Sequence, residues 1–497
     1  MIIIGTSGGA RDAMAAMAED GHLVGACPQE RVTRVRGAGL NASGVPDEAI
    51  DLLLRRRGRT RADIGQYISV EGGEQAGASP GRLDRLRAHA CTAFLTSPFS
   101  SSAIVVCDHV WPGMSVWSGN GATLRHEWTW PGARLTHPLL VAASALGLQG
   151  LGGVRRAEAL ARLRPASRDT SIDSMLALHD GDLVVDSRFE PYLAERAGHN
   201  PDAGTPSRIQ LASAVQGRVG EILLELLREV RQRLGLAHLC LGGSLFHLSG
   251  LNSIVKEAGL FDDVFVPVEP GESGLAVGAV LDALGAGPTP TSPFLGPSYS
   301  FEEVKEVLDN CKLHYSWESE EGAVQVVVKS LREGRLVGWF DGPMEWGPRA
   351  LGARSILASP TAPYVLENLN RFLKRREPWR GYALSGLQEA VATHFDGPAS
   401  APFMECDYRP KDATTFQHVL PSPEAAIRVQ TVAADGSLPR FRRVLEAVGE
   451  STGLPFVVNT SFNGFHEPIV CSPRDAVRVF YGTGLDVLVI NQFVVRK

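Results

Sequence analysis

The sequence predicts an α/β protein of mixed sheets flanked by helices, divided into two domains. Three observations predict it. Strand-length apolar runs end on glycines and lead into helical spacing, as in LAHLCLGGS and VFVPVEPGESGLAVGAVLDAL. A Gly/Pro/Ser/Thr-rich stretch without apolar periodicity, GAGPTPTSPFLGPSYS over 285–300, separates the chain into two parts. The 497 residues, 44% apolar and 21% charged, suffice for two or three substantial cores.

From the start of the chain, MIIIG, DAMAAMAEDG and HLVGACPQE read as three strands in a meander, with Asp20-Gly21 as a hairpin turn. A strand–turn–strand with a small-residue tip such as GTSGG opens the actin-like ATPase folds, where the tip approaches nucleotide phosphate. Over 206–234, Val215, Val219, Ile222, Leu226 and Val230 recur at helical spacing and predict one long amphipathic helix. The strand that follows runs into Gly242-Gly243, a junction whose backbone N–H groups can point at a phosphate. A second such junction occurs at Gly271. After the polar stretch, FEEVKEVLDN starts a new helix with Ser300 as N-cap and Glu303 as its capping-box partner. GRLVGWF then reads as a buried strand. The Gly/Pro-rich loop MEWGPRALGARSIL, Met344 to Leu357, carries Arg349 and Arg354 five apart. Cations at the exit of a buried strand face something anionic. No internal repeat is legible.

Composition excludes several classes. A net charge of −6 without a basic block argues against nucleic-acid binding. No run of about 18 apolar residues marks a membrane span, and the opening lacks the charged and apolar regions of a leader. The seven cysteines never fall in CxxC spacing, which argues against a disulfide framework or structural zinc and for a reduced, cytoplasmic protein.

Four ordered stretches then resemble the O-carbamoyltransferases of nodulation-factor and antibiotic biosynthesis. They are GRLVGWFDGPMEWGPRALGARSILASP, KRREPWR, IRVQTV and TGLPFVVNTSFNGFHEPIVCSPRDAVRVFYGTGLDVLVI. With weaker N-terminal matches the resemblance covers nearly the whole chain. It implies an N-terminal actin-like (ribonuclease H-like) domain over 1–285, a linker over 286–299 and a C-terminal YrdC-like α/β domain over 300–497. It implies that ATP and carbamoyl phosphate yield carbamoyl-adenylate in the YrdC-like domain. The carbamoyl group then passes to a hydroxyl or amine of a small-molecule natural product at the actin-like domain. The family's actin-like site holds nucleotide and a divalent metal, iron or magnesium. Oligomeric state is left open, with a homodimer the form the family often takes.

Carried over by motif position, Arg349, Lys374, Arg380, Arg428, Asn459 and Ser461 would handle carbamoyl phosphate and ATP, with Arg354 beside them. Arginine suits that task because its planar fork gives two parallel hydrogen bonds to phosphate oxygens. Asn459 and Ser461 are expected at a strand exit, where α/β ligand sites form. Read singly, a loop arginine is a solvated charge and NTSFN an ordinary strand end; the ordered set favours function. Asp12, Gly242, Gly243 and Gly271 would hold nucleotide in the N-terminal half, and His89, Asp108 and Glu272 the metal.

The N-terminal half departs from the family where the chemistry lies. The family's opening His-Asp is here Arg11-Asp12, and its His-x-x-x-His is here Arg85 and His89. Its GG-x-x-x-Asn ends in His247, its Gly-Asp is Gly271-Glu272, and its Glu-Gly-Lys segment is degraded to GLGGVRRAEALARL. Either His109 or His247 replaces a ligand, or Arg11 and Arg85 neutralise phosphates directly, or the site is dead. A partner or regulatory subunit of a carbamoyltransferase is therefore the alternative to an active enzyme.

Overall fold

A computed structural model describes residues 1–70, 81–110, 113–149, 152–165, 167–198 and 204–497. The expected opening meander is present. β1 (Ile2–Ser7), β2 (Met14–Glu19) and β3 (His22–Pro28) pair antiparallel. Asp20 and Gly21 both take positive φ, 51° and 84°, which is the backbone a two-residue hairpin matched to strand twist requires. β4 (Ile64–Val70) joins β1 in parallel and β5 (Arg82–Leu83) joins β4, so the sheet order is β3-β2-β1-β4-β5.

The second sheet repeats that order. β6 (Ser101–Cys107), β7 (Met114–Asn120) and β8 (Thr123–Trp130) form another antiparallel meander. A separate hairpin of β9 (Leu176–His179) and β10 (Asp182–Val185) intervenes. β11 (His238–Gly242) and β12 (Asp263–Phe265) then add in parallel, giving β12-β11-β6-β7-β8. The chain thus contains an internal duplication that the sequence reading lacks. The repeat lies in strand order and direction, while the residues, IIIGTS in β1 against SSAIVVC in β6, share only apolar character.

Each sheet ends in a helix, Arg85–Leu95 after β5 and Leu275–Leu284 after β12, and each helix packs on the other sheet. The approach is close. A Cβ on Gly5 of β1 would lie 2.4 Å from the Ala276 carbonyl oxygen, and one on Gly242 of β11 3.1 Å from that of His89. The two helices also meet, where a Cβ on Gly278 would lie 2.2 Å from the Ala88 carbonyl oxygen. The predicted long helix spans Pro206–Leu234 and buries Val215, Val219, Ile222, Leu226 and Val230.

The C-terminal half is built on one mixed sheet of ten strands. In spatial order these are Ser316–Trp317, Phe493–Arg496, Val487–Ile490, Val337–Phe340, Arg354–Ala358, Phe456–Ser461, Ala383–Leu387, Ile427–Val432, Asp407–Pro410 and Phe395–Asp396. Helix Phe301–Asn310 opens this half with the expected Ser300–Glu303 capping box. The α/β expectation therefore holds in both halves.

The stretch expected as a linker is a pinned strap. Thr289 N–H donates to the Leu95 carbonyl (3.0 Å), the Leu295 carbonyl accepts from Ala26 N–H (3.0 Å), and Gly296 N–H donates to the Met344 carbonyl (2.8 Å). Polar composition reads as loop in sequence, but the backbone of this half-buried segment still finds hydrogen-bond partners, and both halves supply them. The halves also share one continuous hydrophobic core cluster. Arg31, 2% exposed, reaches from the first half to the Gly347 carbonyl at 2.7 Å. All seven cysteines are free, six of them buried. Among the described residues no helix is long and apolar enough to cross a membrane.

Candidate active site

In the C-terminal half, a π-helical segment Asn368–Lys374 ends on Arg375 in the left-handed region. This turn aims Lys374 across the end of strand Phe456–Ser461. Its Nζ donates to the Ser461 carbonyl (2.6 Å), the Asn463 carbonyl (3.0 Å) and Asn463 Oδ1 (2.5 Å), with Ser461 Oγ at 3.4 Å. Burial, with Arg376 nearby, pushes the ammonium well below the usual lysine range. Lys374 and Ser461 are thus brought together, and Asn463 joins them. Asn463 escaped the sequence reading although it closes the NTSFN stretch two residues past Ser461.

Asn459 and Ser461 do not follow the strand, as expected; they lie within it, two apart and so on one face. Asn459 is buried in a polar network. Its Nδ2 donates to Ser385 Oγ (2.9 Å) and Gln430 Oε1 (3.3 Å), and Gln430 Nε2 donates to the Leu351 carbonyl (2.7 Å). Its Oδ1 has no hydrogen-bond partner among the described residues.

Arg354 requires a correction. It is fully buried, its Nη1 donates to the Asp341, Gly342 and Ala353 carbonyls, and its Nη2 to the Pro297 carbonyl at 3.0 Å. The guanidinium also stacks 3.6 Å from the Phe340 ring centroid. It welds the strap to the sheet and presents no fork to a phosphate.

The other three arginines line a seam between the halves. Arg349 Nη2 donates to the His247 carbonyl at 3.0 Å. Burial among Arg155 and Arg162, offset by Glu158 and Asp407, pushes Arg349 down to about 10, so it stays cationic at neutral pH. Arg380, with Glu377 at 3.8 Å, is likewise pushed down to about 10 by burial and by Arg376. Arg428 stands opposite Asp407 in the strand register and lines a small cavity with Arg162, Gly381 and Tyr382. Arg162 itself binds Asp407 Oδ2 (2.9 Å) and Glu158 Oε1 (3.1 Å). Arg155 and Arg162 belong to helix Gly153–Ala161 and its end, in the segment read as degraded; Gly150 and Leu151 at its start lie outside the described residues.

The N-terminal half gathers Arg85, His89, Asp108, Glu272, His247 and Glu269. Arg85 Nη2 donates to Asp108 Oδ2 at 3.0 Å and to Glu272 Oε2, while its Nη1 donates to Glu272 Oε1 at 2.8 Å. Burial would raise the Asp108 carboxyl, but His109, His89 and Arg85 together hold it well below the usual carboxylate range. His89 Nε2 is 3.7 Å from Asp108 Oδ2, and both its ring nitrogens are buried without hydrogen-bond partners among the described residues. His247 Nε2 lies 3.0 Å from Glu269 Oε1, a pairing sequence reasoning missed three residues before Glu272.

Two carried-over roles fail here. As metal ligands, Asp108 and Glu272 are taken by a guanidinium, so with His89 they do not fit a divalent ion, and among the described residues no group of three His, Cys, Asp or Glu does. As phosphate donors, the glycine junctions are spent. Gly243 N–H donates to the Pro270 carbonyl (2.7 Å), Ser244 N–H to Asp108 Oδ1 (3.1 Å), and Gly271 N–H to Glu269 Oε1 (2.8 Å). Gly242 serves close packing on His89. Asp12 lies exposed with φ 55°, its carbonyl accepting from Ser273 Oγ at 3.2 Å.

Residues 83–281 match the family model described as carbamoyltransferase N-terminus, and residues 328–497 the one described as carbamoyltransferase C-terminus. An uncharacterised Synechocystis protein is 30% identical over 472 residues, covering 83% of this chain and 75% of its own length. The chain belongs to the carbamoyltransferase family of enzymes. Nodulation protein NolO of Bradyrhizobium diazoefficiens is 34% identical over 309 residues, 59% of this chain and 55% of that protein. Nodulation protein U of Sinorhizobium fredii is 32% identical over 236 residues, 46% and 40% of the two chains. This carbamoyltransferase-family chain thus matches about half the length of the nodulation relatives or less. Among solved structures, component A of the Acidaminococcus fermentans (R)-2-hydroxyglutaryl-CoA dehydratase aligns at 16% identity and TM-score 0.39, over 56% of this chain and 96% of its own. HypF of T. kodakarensis aligns at 10% identity and TM-score 0.38, over 57% and 47%.

Proposed function

We propose that this chain is an ATP-dependent carbamoyltransferase using carbamoyl phosphate, through carbamoyl-adenylate, to carbamoylate a hydroxyl or amine of a small-molecule natural product. The observation that carries the reading is the cluster of Lys374, Ser461 and Asn463 in a half that also places Arg380, Arg428 and Arg349 along its seam with the first half. Cationic groups so placed suit phosphoryl and adenylyl transfer, where catalysis is mostly positioning and stabilisation of accumulating negative charge. The balance of the first stage requires one water: carbamoyl phosphate releases phosphate, the carbamate oxygen bonds to the α-phosphorus of ATP, and pyrophosphate leaves. In the second stage the acceptor oxygen or nitrogen bonds to the carbamoyl carbon and AMP leaves. His247, which burial pushes below the usual histidine range and Glu269 tethers, takes the acceptor's proton. We place the protein in the cytoplasm, acting on small molecules rather than nucleic acid or membrane, as a homodimer.

The test is carbamoyl-phosphate-dependent exchange of labelled pyrophosphate into ATP. Lys374→Ala and Arg380→Ala are expected to lose at least about a hundredfold in exchange rate, while Arg85→Ala stays within a few-fold of the parent. A second reading, a partner subunit of a carbamoyltransferase, draws on the altered Arg85–Asp108–Glu272 centre. It becomes the leading one if the parent shows no exchange under any metal condition.

A further inference from the structure

We infer that the N-terminal site of this chain carries its own permanent cation: the Arg85 guanidinium stands where Asp108, Glu272 and His89 would otherwise hold a divalent ion. The geometry is that of a filled site. Asp108 Oδ2 accepts from Arg85 Nε (3.3 Å) and Nη2 (3.0 Å), and its Oδ1 accepts from Ser244 N–H (3.1 Å) with His109 Nδ1 at 3.3 Å. Both Glu272 oxygens accept from Arg85 Nη1 and Nη2. All four carboxylate oxygens are engaged, and a dication can approach them only by expelling the guanidinium. The Arg85 side chain, 10% exposed, cannot move into solvent without leaving both carboxylates uncompensated in a covered site.

The surroundings fix the cation further. Arg85 begins helix Arg85–Leu95, whose N-cap Asp84 accepts from Arg87 N–H at 2.9 Å, and His89 lies one turn on, on the same helix face. His89 is left beside the ion pair with two ring nitrogens unpartnered among the described residues, as a ligand without its ion would be. Guanidinium and metal differ in chemistry. The guanidinium balances the carboxylates and donates hydrogen bonds, but it offers no open coordination position and polarises no bound water. Given the function proposed above, on which this step rests, transfer at this site works, whatever the acceptor, with hydrogen bonding and fixed charge.

Metal binding and melting, which do not depend on carbamoyl chemistry, test this on the full chain. The parent, titrated anaerobically with Co(II), is expected to show no stoichiometric ligand-field spectrum. Arg85→His is expected to bind one Co(II) per chain at least tenfold more tightly than the parent, and Arg85→His/His89→Ala to lose that binding. Arg85→Ala is expected to melt below the parent and to recover when Co(II) or Mn(II) is added, with recovery abolished by adding Glu272→Gln. If Arg85→His does not fold, the parent titration and the Arg85→Ala rescue decide. One equivalent of Co(II) on the parent, lost in His89→Ala, overturns the inference, as does an Arg85→Ala protein as stable as the parent and unaffected by metal.

Discussion

A cation serves a ligand only through the N–H groups its neighbours leave unused, and by that measure Arg349, Arg354 and Lys374 differ sharply. Four carbonyls hold Arg354 and leave its Nε alone unpartnered among the described residues, Arg349 spends one N–H on His247, and Lys374 commits all three N–H to Ser461 and Asn463, so an anion reaches it only by displacing one of those acceptors. Because burial lowers the Lys374 value, the unfolded chain binds more protons between the folded value and the ordinary lysine range, so this group makes stability rise with pH across that window. An anion beside it raises that value again. Phosphate binding within that window is therefore expected to take up a proton, seen by calorimetry in buffers of different ionisation enthalpy, and Lys374→Met to abolish the uptake; uptake unchanged in that variant counts against Lys374 as the anion contact. The sequence singled out Lys374 and Ser461, which the fold brings into contact, because residue type and motif order travel with the chain. It could not reveal that Arg354 faces carbonyls 12 and 57 positions away, because such partners exist only once the strap is laid down.

At the scale of elements, the glycine junctions were legible as junctions and misread as phosphate loops. Gly243 has φ 98°, and a Cβ there would lie 2.2 Å from the Cys107 carbonyl oxygen. The need for glycine thus follows from the close approach of the paired ends of β6 and β11, without any ligand. Gly243→Ala is expected to cost about 2–4 kcal/mol through left-handed strain plus backbone overlap, read as a fall in the denaturant midpoint. Gly242→Ala, whose Cβ would meet the His89 carbonyl oxygen at 3.1 Å, is expected to cost clearly less. Equal losses in the two variants contradict this account. Amphipathic periodicity served better. Helix Pro206–Leu234 and capped helix Phe301–Asn310 stand where spacing and caps put them, since both signals are local.

Over the whole molecule, the division near residue 300 is legible but the independence of the halves is not. Arg31 donates to the Glu345 and Gly347 carbonyls, and Arg34 to those of Pro468 and Ile469, so the first half hydrogen-bonds the second through buried or half-buried arginines. The parent is expected to unfold in one cooperative transition, with the 286–299 strap resisting limited proteolysis. Arg31→Ala, which leaves two carbonyls unpaired, is expected to cost about 3–5 kcal/mol and open the strap to cleavage, followed by calorimetry and mass mapping of the first cuts. Two separate transitions in the parent rule this out. The duplicated five-stranded sheets escaped the sequence for a related reason: a strand order is a statement about neighbours, and unrelated apolar residues satisfy it equally well. The exchange of terminal helices between those sheets also bears on biosynthesis. The first sheet is covered by Leu275–Leu284, synthesised roughly 190 residues after Leu95. At about 5–20 residues per second, the first sheet, complete once β5 is made, waits roughly 10–40 s on the ribosome with an apolar face open. A nascent chain of this design is a client for holding chaperones for as long as its cover is still being translated.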